Sequence, residues 1–112
     1  MSSLCKVIIL GHLGADPELR TTASGEPVCN LRVATSESWT DAKGEKQERT
    51  EWHAITVFGR QAESCGRFLA KGRQVFVEGR IQSRKYTDKD GIERRATEII
   101  ASNVLFVGEA DR

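Results

Sequence analysis

Residues 49–59 read R-T-E-W-H-A-I-T-V-F-G, and this stretch decides how the rest of the chain is interpreted. Its β-branched residues and two-residue alternation predict a strand whose side chains point to opposite faces in turn. One face carries His53, Ile55 and Val57 and is the predicted core face. The other carries two large aromatics, Trp52 and Phe58, where a solvated strand would ordinarily carry Lys, Glu or Thr.

The aromatic face has two interpretations. Exposed rings on a strand form a stacking surface for flat partners, of which unpaired nucleobases are the commonest biological example. Alternatively, another layer of the same protein covers Trp52 and Phe58, because most aromatic side chains are buried. The strand alone does not decide between them.

Size and composition predict one globular domain spanning residues 1–112. The chain has 38% hydrophobic and 29% charged residues, and no stretch is long and apolar enough to cross a membrane. The N-terminal M-S-S-L-C-K lacks the features of a secretory signal, so we expect a cytoplasmic protein.

Cysteines and histidines provide no evidence for a metal, disulfide or redox site. Cys5, Cys29 and Cys65 are widely spaced and odd in number, so we interpret them as small, reduced, apolar side chains. His12 and His53 are isolated from other metal-ligating residues. The sequence contains no Gly-rich phosphate loop, and we expect no cofactor.

Charge is distributed unevenly although the net charge is only +1. Residues 60–95 contain ten Lys and Arg against five Asp and Glu, so the remainder of the chain is acidic. Concentrated positive charge is the electrostatic pattern that a polyanion groove needs, and a solvated helix and hairpin also carry such a pattern by chance.

Hydrophobic periodicity predicts five strands and one helix. The strands are predicted at residues 6–13, 28–39, 49–59, 74–86 and 96–107, and the helix at 61–71. The first strand is apolar on both faces, which indicates burial in a closed barrel or against a second copy of the chain. Residues 18–22 are compatible with a further extended segment.

Side-chain spacing predicts which residues of the last elements face the core. In the helix the apolar positions are Ala62, Cys65, Phe68 and Leu69. In the fourth strand the core face is predicted to carry Val75, Val77 and Ile81, and the opposite face to carry Phe76, Glu78, Arg80, Gln82, Arg84 and Tyr86.

Three polar segments separate or end the strands. Residues 40–48 are polar and are predicted to form a mobile loop that brings Trp39 and Trp52, near its two ends, toward one surface. Residues 87–93 contain Asp90-Gly91, a strong hairpin signal. Residues 108–112 are expected to fray.

The element order, with one helix between the third and fourth strands, predicts an all-β fold, the five-stranded Greek-key barrel called the OB-fold. Barrels of this type bind oligonucleotides and oligosaccharides across the second and third strands and the adjoining loops.

Six blocks of the chain, in order, resemble the bacterial single-stranded DNA-binding protein family. The blocks are K-V-I-I-L-G-H-L-G-A-D-P-E-L-R at residues 6–20, A-T-S-E-S-W at 34–39, T-E-W-H at 50–53, V-F-G-R at 57–60, K-G-R-Q-V-F-V-E-G at 71–79 and R-K-Y-T-D at 84–88. The resemblance implies a homotetramer of OB-folds that binds single-stranded DNA with little sequence preference and acts in DNA replication, recombination and repair near the nucleoid.

The resemblance also implies roles for individual residues. Bases would stack on Trp39, Trp52, Phe58 and Tyr86. His53 of the T-E-W-H block would contribute to contacts between subunits. Tyr86 stands where the family block often has Trp, so the stacking surface there is smaller.

A further departure concerns the end of the chain. Family members usually continue into a flexible linker and an acidic-hydrophobic tip that recruits replication and repair proteins. This sequence ends at Arg112 without either segment, so we expect such partners only for a protein that carries the tip.

Phosphate contacts are predicted for cations near the four rings. The candidates are Arg60, Lys71, Arg73, Arg80, Arg84 and Lys85, with Lys6, Arg49, Arg94 and Arg95 as weaker candidates. Each could equally be a solvated surface charge.

Three alternatives to single-stranded DNA binding stay open. The first is a dimeric OB-fold primosomal or RNA-binding module. The second is a barrel whose aromatics contact a partner protein. The third is an enzyme such as a cysteine hydrolase using Cys65 and a histidine, for which the sequence offers no catalytic motif, so we expect a protein without enzymatic activity.

Overall fold

The computed structural model describes residues 2–108, which form six strands and one helix. In chain order these are β1 (Val7–Leu13), β2 (Glu18–Thr21), β3 (Pro27–Thr40), β4 (Lys46–Phe58), α1 (Arg60–Phe68), β5 (Gln74–Thr87) and β6 (Glu93–Val107). All five predicted strands and the helix form, and the extended segment at 18–22 is the short strand β2. Of the residues expected to fray, 109–112 lie outside the described residues.

Five strands close into a barrel. They follow the order β1-β5-β6-β4-β3, and β1 also pairs with β3, which completes the ring. Pairing around the ring is antiparallel except between β4 and β6, which are parallel. Strand β2 extends the sheet beside β3. This arrangement confirms the predicted five-stranded barrel with a helix between its third and fourth strands.

The barrel interior is filled by alternate residues of its strands, including Ile55 and Val57, which the sequence pattern assigned to the core face. Leu31 and Val33 of β3 and Ile55 and Val57 of β4 are at most 2% exposed. The other core residues are Ile9, Leu13, Cys29, Ala62, Cys65, Leu69, Val75, Val77, Ile99 and Val104. Burial of these aliphatic side chains is the main source of the barrel's stability.

Two glycines permit the close approach of strands that closes the barrel. A Cβ atom built on Gly11 of β1 would lie 2.3 Å from the carbonyl oxygen of Ala34 in β3. One built on Gly79 of β5 would lie 2.2 Å from the carbonyl oxygen of Ile100 in β6. Gly79 also lies at a β-bulge, which bends the paired strands. Any side chain at either position would push backbone away.

Helix α1 packs against the barrel through Ala62 and Cys65, both fully buried. It ends at Phe68, three residues before the predicted end, because the backbone of Leu69 is already extended. The prediction that Phe68 joins the buried face is wrong, since the ring is 59% exposed. Leu69 is buried as predicted, although it lies just after the end of the helix.

A glycine within α1 has a packing role. A Cβ atom at Gly66 would lie 2.8 Å from the Cβ atom of Leu19 in β2. Gly lowers helix stability by roughly 1 kcal/mol relative to Ala, and here it allows β2 to lie close against the helix.

Strands β3 and β4 continue beyond the barrel as a two-stranded ribbon. Their pairing runs without interruption to Thr40 opposite Lys46. The prediction of a loop over residues 40–48 is therefore wrong, because only residues 41–45 form the turn. Polar composition was a poor guide here, since both faces of this part of the ribbon are largely exposed to solvent.

The ribbon turn is held by Asp41. One carboxylate oxygen, Oδ1, accepts hydrogen bonds from the backbone N–H groups of Lys43 and Glu45, each at 2.9 Å. The other, Oδ2, accepts one from the side chain of Gln47 at 3.2 Å. Gly44 supplies the left-handed backbone that this turn requires, with φ 81°.

The turn between β5 and β6 uses the same chemistry at Asp88. Its Oδ1 atom accepts hydrogen bonds from the N–H groups of Asp90 and Ile92, and its Oδ2 atom accepts one from Arg94 Nε at 2.8 Å. The hairpin predicted at residues 87–93 is confirmed, and a second ribbon thus leaves the barrel.

The β5–β6 ribbon explains one error in the predicted core. Val75 and Val77 are buried as expected, but Ile81 is 51% exposed. Ile81 lies on the inward-facing side of β5, beyond the bulge at Gly79, where the strand has left the barrel. No interior remains at that point for its side chain to enter.

Candidate nucleic-acid interface

The four rings predicted to stack bases are all substantially exposed. Trp39 is 46% exposed, Trp52 is 52% exposed, and Phe58 and Tyr86 are each 42% exposed. The alternative in which another layer of the same chain covers Trp52 and Phe58 does not hold for residues 2–108.

Trp52 and Phe58 lie on the outer face of β4, as the alternation predicted. Between them Thr56, on the same face, is only 7% exposed. Its Oγ1 atom donates a hydrogen bond to Glu98 Oε2 of the neighbouring strand β6 at 3.4 Å. Glu98 therefore lies on the outer surface between strands and covers Thr56, a placement that the sequence analysis missed.

Trp39 lies on the opposite face of the ribbon from Trp52. The register pairs Ala34 of β3 directly with Trp52, so these two side chains share a face. Trp39 lies five residues after Ala34 in β3, and because side chains alternate along a strand, an odd separation places it on the other face. The expectation that strand pairing brings both indoles toward one surface is wrong, because it was made without the register.

Tyr86 is linked to the β4 surface by a chain of side chains across three strands. The guanidinium of Arg84 lies over the Tyr86 ring, 5.7 Å from its centroid, and Arg84 Nε is 3.4 Å from Glu98 Oε1. Glu98 in turn contacts Thr56. Trp52, Phe58 and Tyr86 thus share one continuous outer surface of β4, β6 and β5.

A cleft of about 270 Å³ lies on this surface between the β1–β2 turn and β6. Its floor includes Asn30 and Arg32 of β3 together with Ala54 and Thr56 of β4. Its other lining residues are Ala15, Asp16, Glu18, Leu31, Ile55 and Glu98. Arg32 is an exposed cation in the cleft that the sequence analysis did not select.

Three predicted phosphate contacts lie on β5 near Tyr86. Arg80 and Arg84 share the face of Tyr86, as predicted, and Arg80 Nη1 donates a hydrogen bond to Gln82 at 2.8 Å. Lys85 points to the other face and pairs with Glu93 at 3.5 Å. Both members of that pair are more than 60% exposed, so the pair contributes little to stability.

The other predicted phosphate contacts lie at the two ends of α1. Arg60 is exposed at the start of the helix, directly after Phe58 and Gly59. Lys71 and Arg73 follow the helix and lie beside the β1–β2 turn. The backbone N–H of Lys71 donates a hydrogen bond to Asp16 Oδ1 at 2.9 Å, and the carbonyl of Arg73 accepts one from Leu13.

The weaker candidates are mostly engaged in salt bridges. Lys6 pairs with Glu78 at 3.0 Å, and Arg49 with Glu37 at 2.9 Å. Arg94 is part of the Asp88 turn. The pKa of the Glu78 carboxyl is lowered, chiefly by its hydrogen bond and charge interaction with Lys6. Arg95 is exposed.

His53 lies on the face of β4 opposite Trp52. Its Nε2 atom is 2.8 Å from the Oγ1 atom of Thr35, close enough for a hydrogen bond. The side chain is partly buried, next to a pocket lined by Thr35, Glu37, Arg49 and other ribbon residues. His53 is therefore not part of the outer face that carries Trp52 and Phe58.

The thiol groups of the core are poor nucleophiles. Cys29 and Cys65 are completely buried. Burial raises the pKa of both, that of Cys65 to about 12, where the neighbouring Cys29 is a second cause. Both thiols therefore stay protonated near neutral pH. Only the deprotonated form, the thiolate, is a reactive nucleophile.

Residues 2–108 carry neither a metal-binding cluster nor a membrane-spanning helix. That part of the chain holds no group of three or more His, Cys, Asp or Glu side chains arranged to bind a metal ion. It also has no helix of the length and apolarity needed to cross a membrane.

A family model and curated relatives that match this chain all carry the description of single-stranded DNA-binding proteins. The model of the Single-strand binding protein family matches residues 4–107. A Single-stranded DNA-binding protein of Neisseria meningitidis serogroup A is 56% identical over 106 residues, which cover 95% of this chain and 61% of that protein. Single-stranded DNA-binding protein 1 of Chlorobaculum tepidum is 50% identical over 109 residues, covering 96% of this chain and 67% of that protein. The chain thus spans about three fifths of the length of the Neisseria relative.

A solved structure is similar over nearly the whole fold. The Plasmodium falciparum SSB in complex with ssDNA superimposes with a TM-score of 0.88 at 30% sequence identity. The match covers 96% of this chain and 98% of that one.

The turn of the β3–β4 ribbon is expected to depend on pH. The backbone N–H of Glu45 is the largest cause that holds the pKa of Asp41 below its ordinary value of 3.8. A lowered pKa means that the carboxylate stabilises the turn above pH 3.8 and that this stabilisation is lost as pH falls through the lower value. NMR titration of the Lys43 amide, which donates to Asp41, should give a midpoint below 3.8.

Asp41→Asn is the matched control for this titration, because an amide oxygen still accepts hydrogen bonds and does not titrate in this range. Its Lys43 amide should show no such transition. A midpoint at or above 3.8 in the unsubstituted protein would contradict the role assigned to Asp41.

Proposed function

The chain belongs to the Single-strand binding protein family, and on this basis we propose that it binds single-stranded DNA with little sequence preference. The residues proposed to stack bases are Trp39, Trp52, Phe58 and Tyr86. The residues proposed to contact phosphates are Arg60, Lys71, Arg73, Arg80, Arg84 and Lys85. The observation that carries the proposal is that all four rings are at least 42% exposed, although large aromatic side chains are usually buried.

The proposed mechanism combines two interactions along one strand. Lys and Arg neutralise phosphates and release condensed counterions, which makes binding tight and salt-dependent. Aromatic rings accept the flat faces of successive bases, and every base has such a face, so sequence preference is weak. In duplex DNA the bases are already stacked on one another, so the rings favour single strands.

The positions of the rings constrain the path of the DNA. Trp52, Phe58 and Tyr86 share the outer surface, whereas Trp39 lies on the other face of the β3–β4 ribbon. A single strand that contacts all four must therefore pass around the ribbon rather than lie flat across the barrel. The projecting ribbon supports a wrapped mode of binding.

The proposal involves no chemical step and therefore no enzymatic activity. The competing cysteine hydrolase requires a reactive thiolate, and the buried Cys65 with its pKa of about 12 is unsuited to that role. A protein-binding barrel would also expose aromatics. The cations near Tyr86 and beside the β1–β2 turn favour a polyanion as the ligand.

We further assign the apolar outer side of β1 to contacts between subunits in a homotetramer. Leu10 pairs with Phe76, which pairs with Leu105, so three apolar side chains lie in one row across β1, β5 and β6. Leu10 is 53% and Leu105 51% exposed, and neighbouring Ile8 is 59% exposed. Such a patch is typical of a protein interface. His53 keeps its proposed role in subunit contacts.

The cellular setting follows from this function as part of the proposal. The protein would act on exposed single strands during DNA replication, recombination and repair, in the cytoplasm at the nucleoid. The chain acts as one OB-fold DNA-binding domain in this scheme. Recruitment of replication and repair proteins would require an acidic tip.

Replacing Trp52 with Ala should weaken binding of single-stranded DNA by about 1–3 kcal/mol, the usual contribution of one base–aromatic stack. The measurement is fluorescence anisotropy of a labelled dT oligonucleotide at moderate salt. Phe68→Ala removes a similarly exposed ring that is not among the residues proposed to contact DNA, and it should leave the affinity unchanged. Equal affinities of the Trp52→Ala and parent proteins would refute stacking at Trp52.

The assembly proposal predicts a native mass near four chains. Leu10→Glu places a charge in the apolar row, and because Leu10 is exposed in the single chain, the barrel should still fold. Native mass spectrometry should show a smaller assembly for Leu10→Glu. A parent protein of two chains would instead favour the dimeric OB-fold module.

A further inference from the structure

The Trp52 indole lies directly against the backbone of Gly14. A Cβ atom built on Gly14 would lie 2.0 Å from Cζ3 of Trp52, 2.5 Å from Cη2 and 3.1 Å from Cε3. All three atoms belong to the six-membered ring of the indole. Non-bonded carbon atoms are ordinarily separated by about 3.5–4.0 Å, so the ring occupies the space that any side chain at position 14 would need.

The backbone at Gly14 is held in place by hydrogen bonds on both sides. The N–H of Gly14 donates to the carbonyl of Arg32 in β3 at 2.9 Å. The preceding residue, Leu13, donates to Arg73 at 2.9 Å and accepts from Gly72 at 2.8 Å. Two residues later, Asp16 accepts the N–H of Lys71. Gly14 is thus part of a fixed platform.

The sheet register brings Trp52 to this platform. Ala34 of β3 pairs with Trp52 on one side and with His12 of β1 on the other. The indole therefore reaches from β4 across β3 to the end of β1, and the intervening residue is small. Although it contacts Gly14, Trp52 remains 52% exposed, so much of the ring system stays open to a ligand.

We propose that Gly14 is a positioning residue that fixes the orientation of the Trp52 indole for base stacking, an inference that rests on the proposed function. A ring that is free to rotate loses conformational freedom when a base stacks on it, and this loss reduces affinity. A ring already seated on Gly14 loses less. The geometry points to the glycine as the reason why the indole presents a defined surface.

The requirement for glycine at position 14 is specific to the indole. Gly14 is not among the glycines with positive φ, so its backbone conformation is open to Ala. At Gly11 and Gly79 an added Cβ atom would meet backbone carbonyls, and those glycines serve the barrel itself. At Gly14 the three nearest atoms all belong to Trp52.

The test is Gly14→Ala, measured by binding of a dT oligonucleotide at moderate salt. We expect affinity to fall by about fivefold or more, the lower range for loss of one base stack. Gly66→Ala is the matched control. This substitution also adds a methyl group at a close contact, here with Leu19, but the site lies on α1 away from the rings. The affinity of the Gly66→Ala protein for the oligonucleotide should therefore equal that of the parent protein.

A double-mutant cycle with Trp52→Ala decides whether Gly14 acts through the indole. Gly14→Ala should have no further effect once Trp52 is Ala. An equal loss in both backgrounds, or no loss from Gly14→Ala alone, would overturn the inference. If Trp52→Ala itself leaves affinity unchanged, the failure lies in the proposed stacking function.

A fluorescence measurement reads the position of the ring directly. The chain has two tryptophans and one tyrosine, so Trp39→Phe leaves Trp52 as the sole tryptophan, which is excited selectively at the long-wavelength edge of its absorption. In that background Gly14→Ala should shift the emission spectrum of Trp52 without DNA, and an unchanged spectrum would overturn the inference. If Gly14→Ala does not fold, Trp52→Ala should restore folding, and failure to do so would show that Gly14 serves only the backbone.

Discussion

Close approach of backbones at Gly11 and Gly79 is the constraint on which this structure depends. At Gly11 strand β1 lies against the carbonyl of Ala34, which allows β1 to pair with both β3 and β5 and complete the ring. At Gly79 the bulge bends β5 and β6 around the same core. A barrel closed in this way has no free edge within the ring, and its strands bury a continuous aliphatic interior.

Closure of the barrel also creates the proposed binding surface. Strands β3, β4, β5 and β6 are 13–15 residues long, and their outer halves continue past the barrel as two ribbons. The ribbons carry Trp39 and Tyr86 away from the core, while Trp52 lies where β4 leaves the barrel. The end of β1, fixed by closure, places Gly14 beneath that indole. Rigid scaffolding and exposed rings therefore arise from the same strand geometry.

Much of the fold and of the candidate site was predictable from sequence, because the alternation of side chains along a strand assigns each residue to one of its two faces. The outward placement of Trp52 and Phe58 followed from a period-two pattern, and the five barrel strands followed from such patterns together with the β-rich apolar run at residues 6–13. The face of Trp39 depended on register, which no single strand reveals. The exposure of Ile81 depended on where β5 leaves the barrel. The contact between Gly14 and Trp52 depended on the pairing of three strands, β1, β3 and β4. The D-x-x-G pattern shared by Asp41 and Asp88 was visible in the sequence and would have indicated a tight turn at residues 41–45.

The central claim is that the exposed rings and the cations near them bind single strands through stacking and phosphate contacts. Its most direct test is quenching of intrinsic tryptophan fluorescence during titration with oligo-dT and with duplex DNA of equal length, each at two salt concentrations. The account predicts saturable quenching by oligo-dT, an affinity that falls steeply with added salt, and much weaker quenching by the duplex. Equal quenching by the duplex, or an affinity for oligo-dT that does not change with salt, would contradict it.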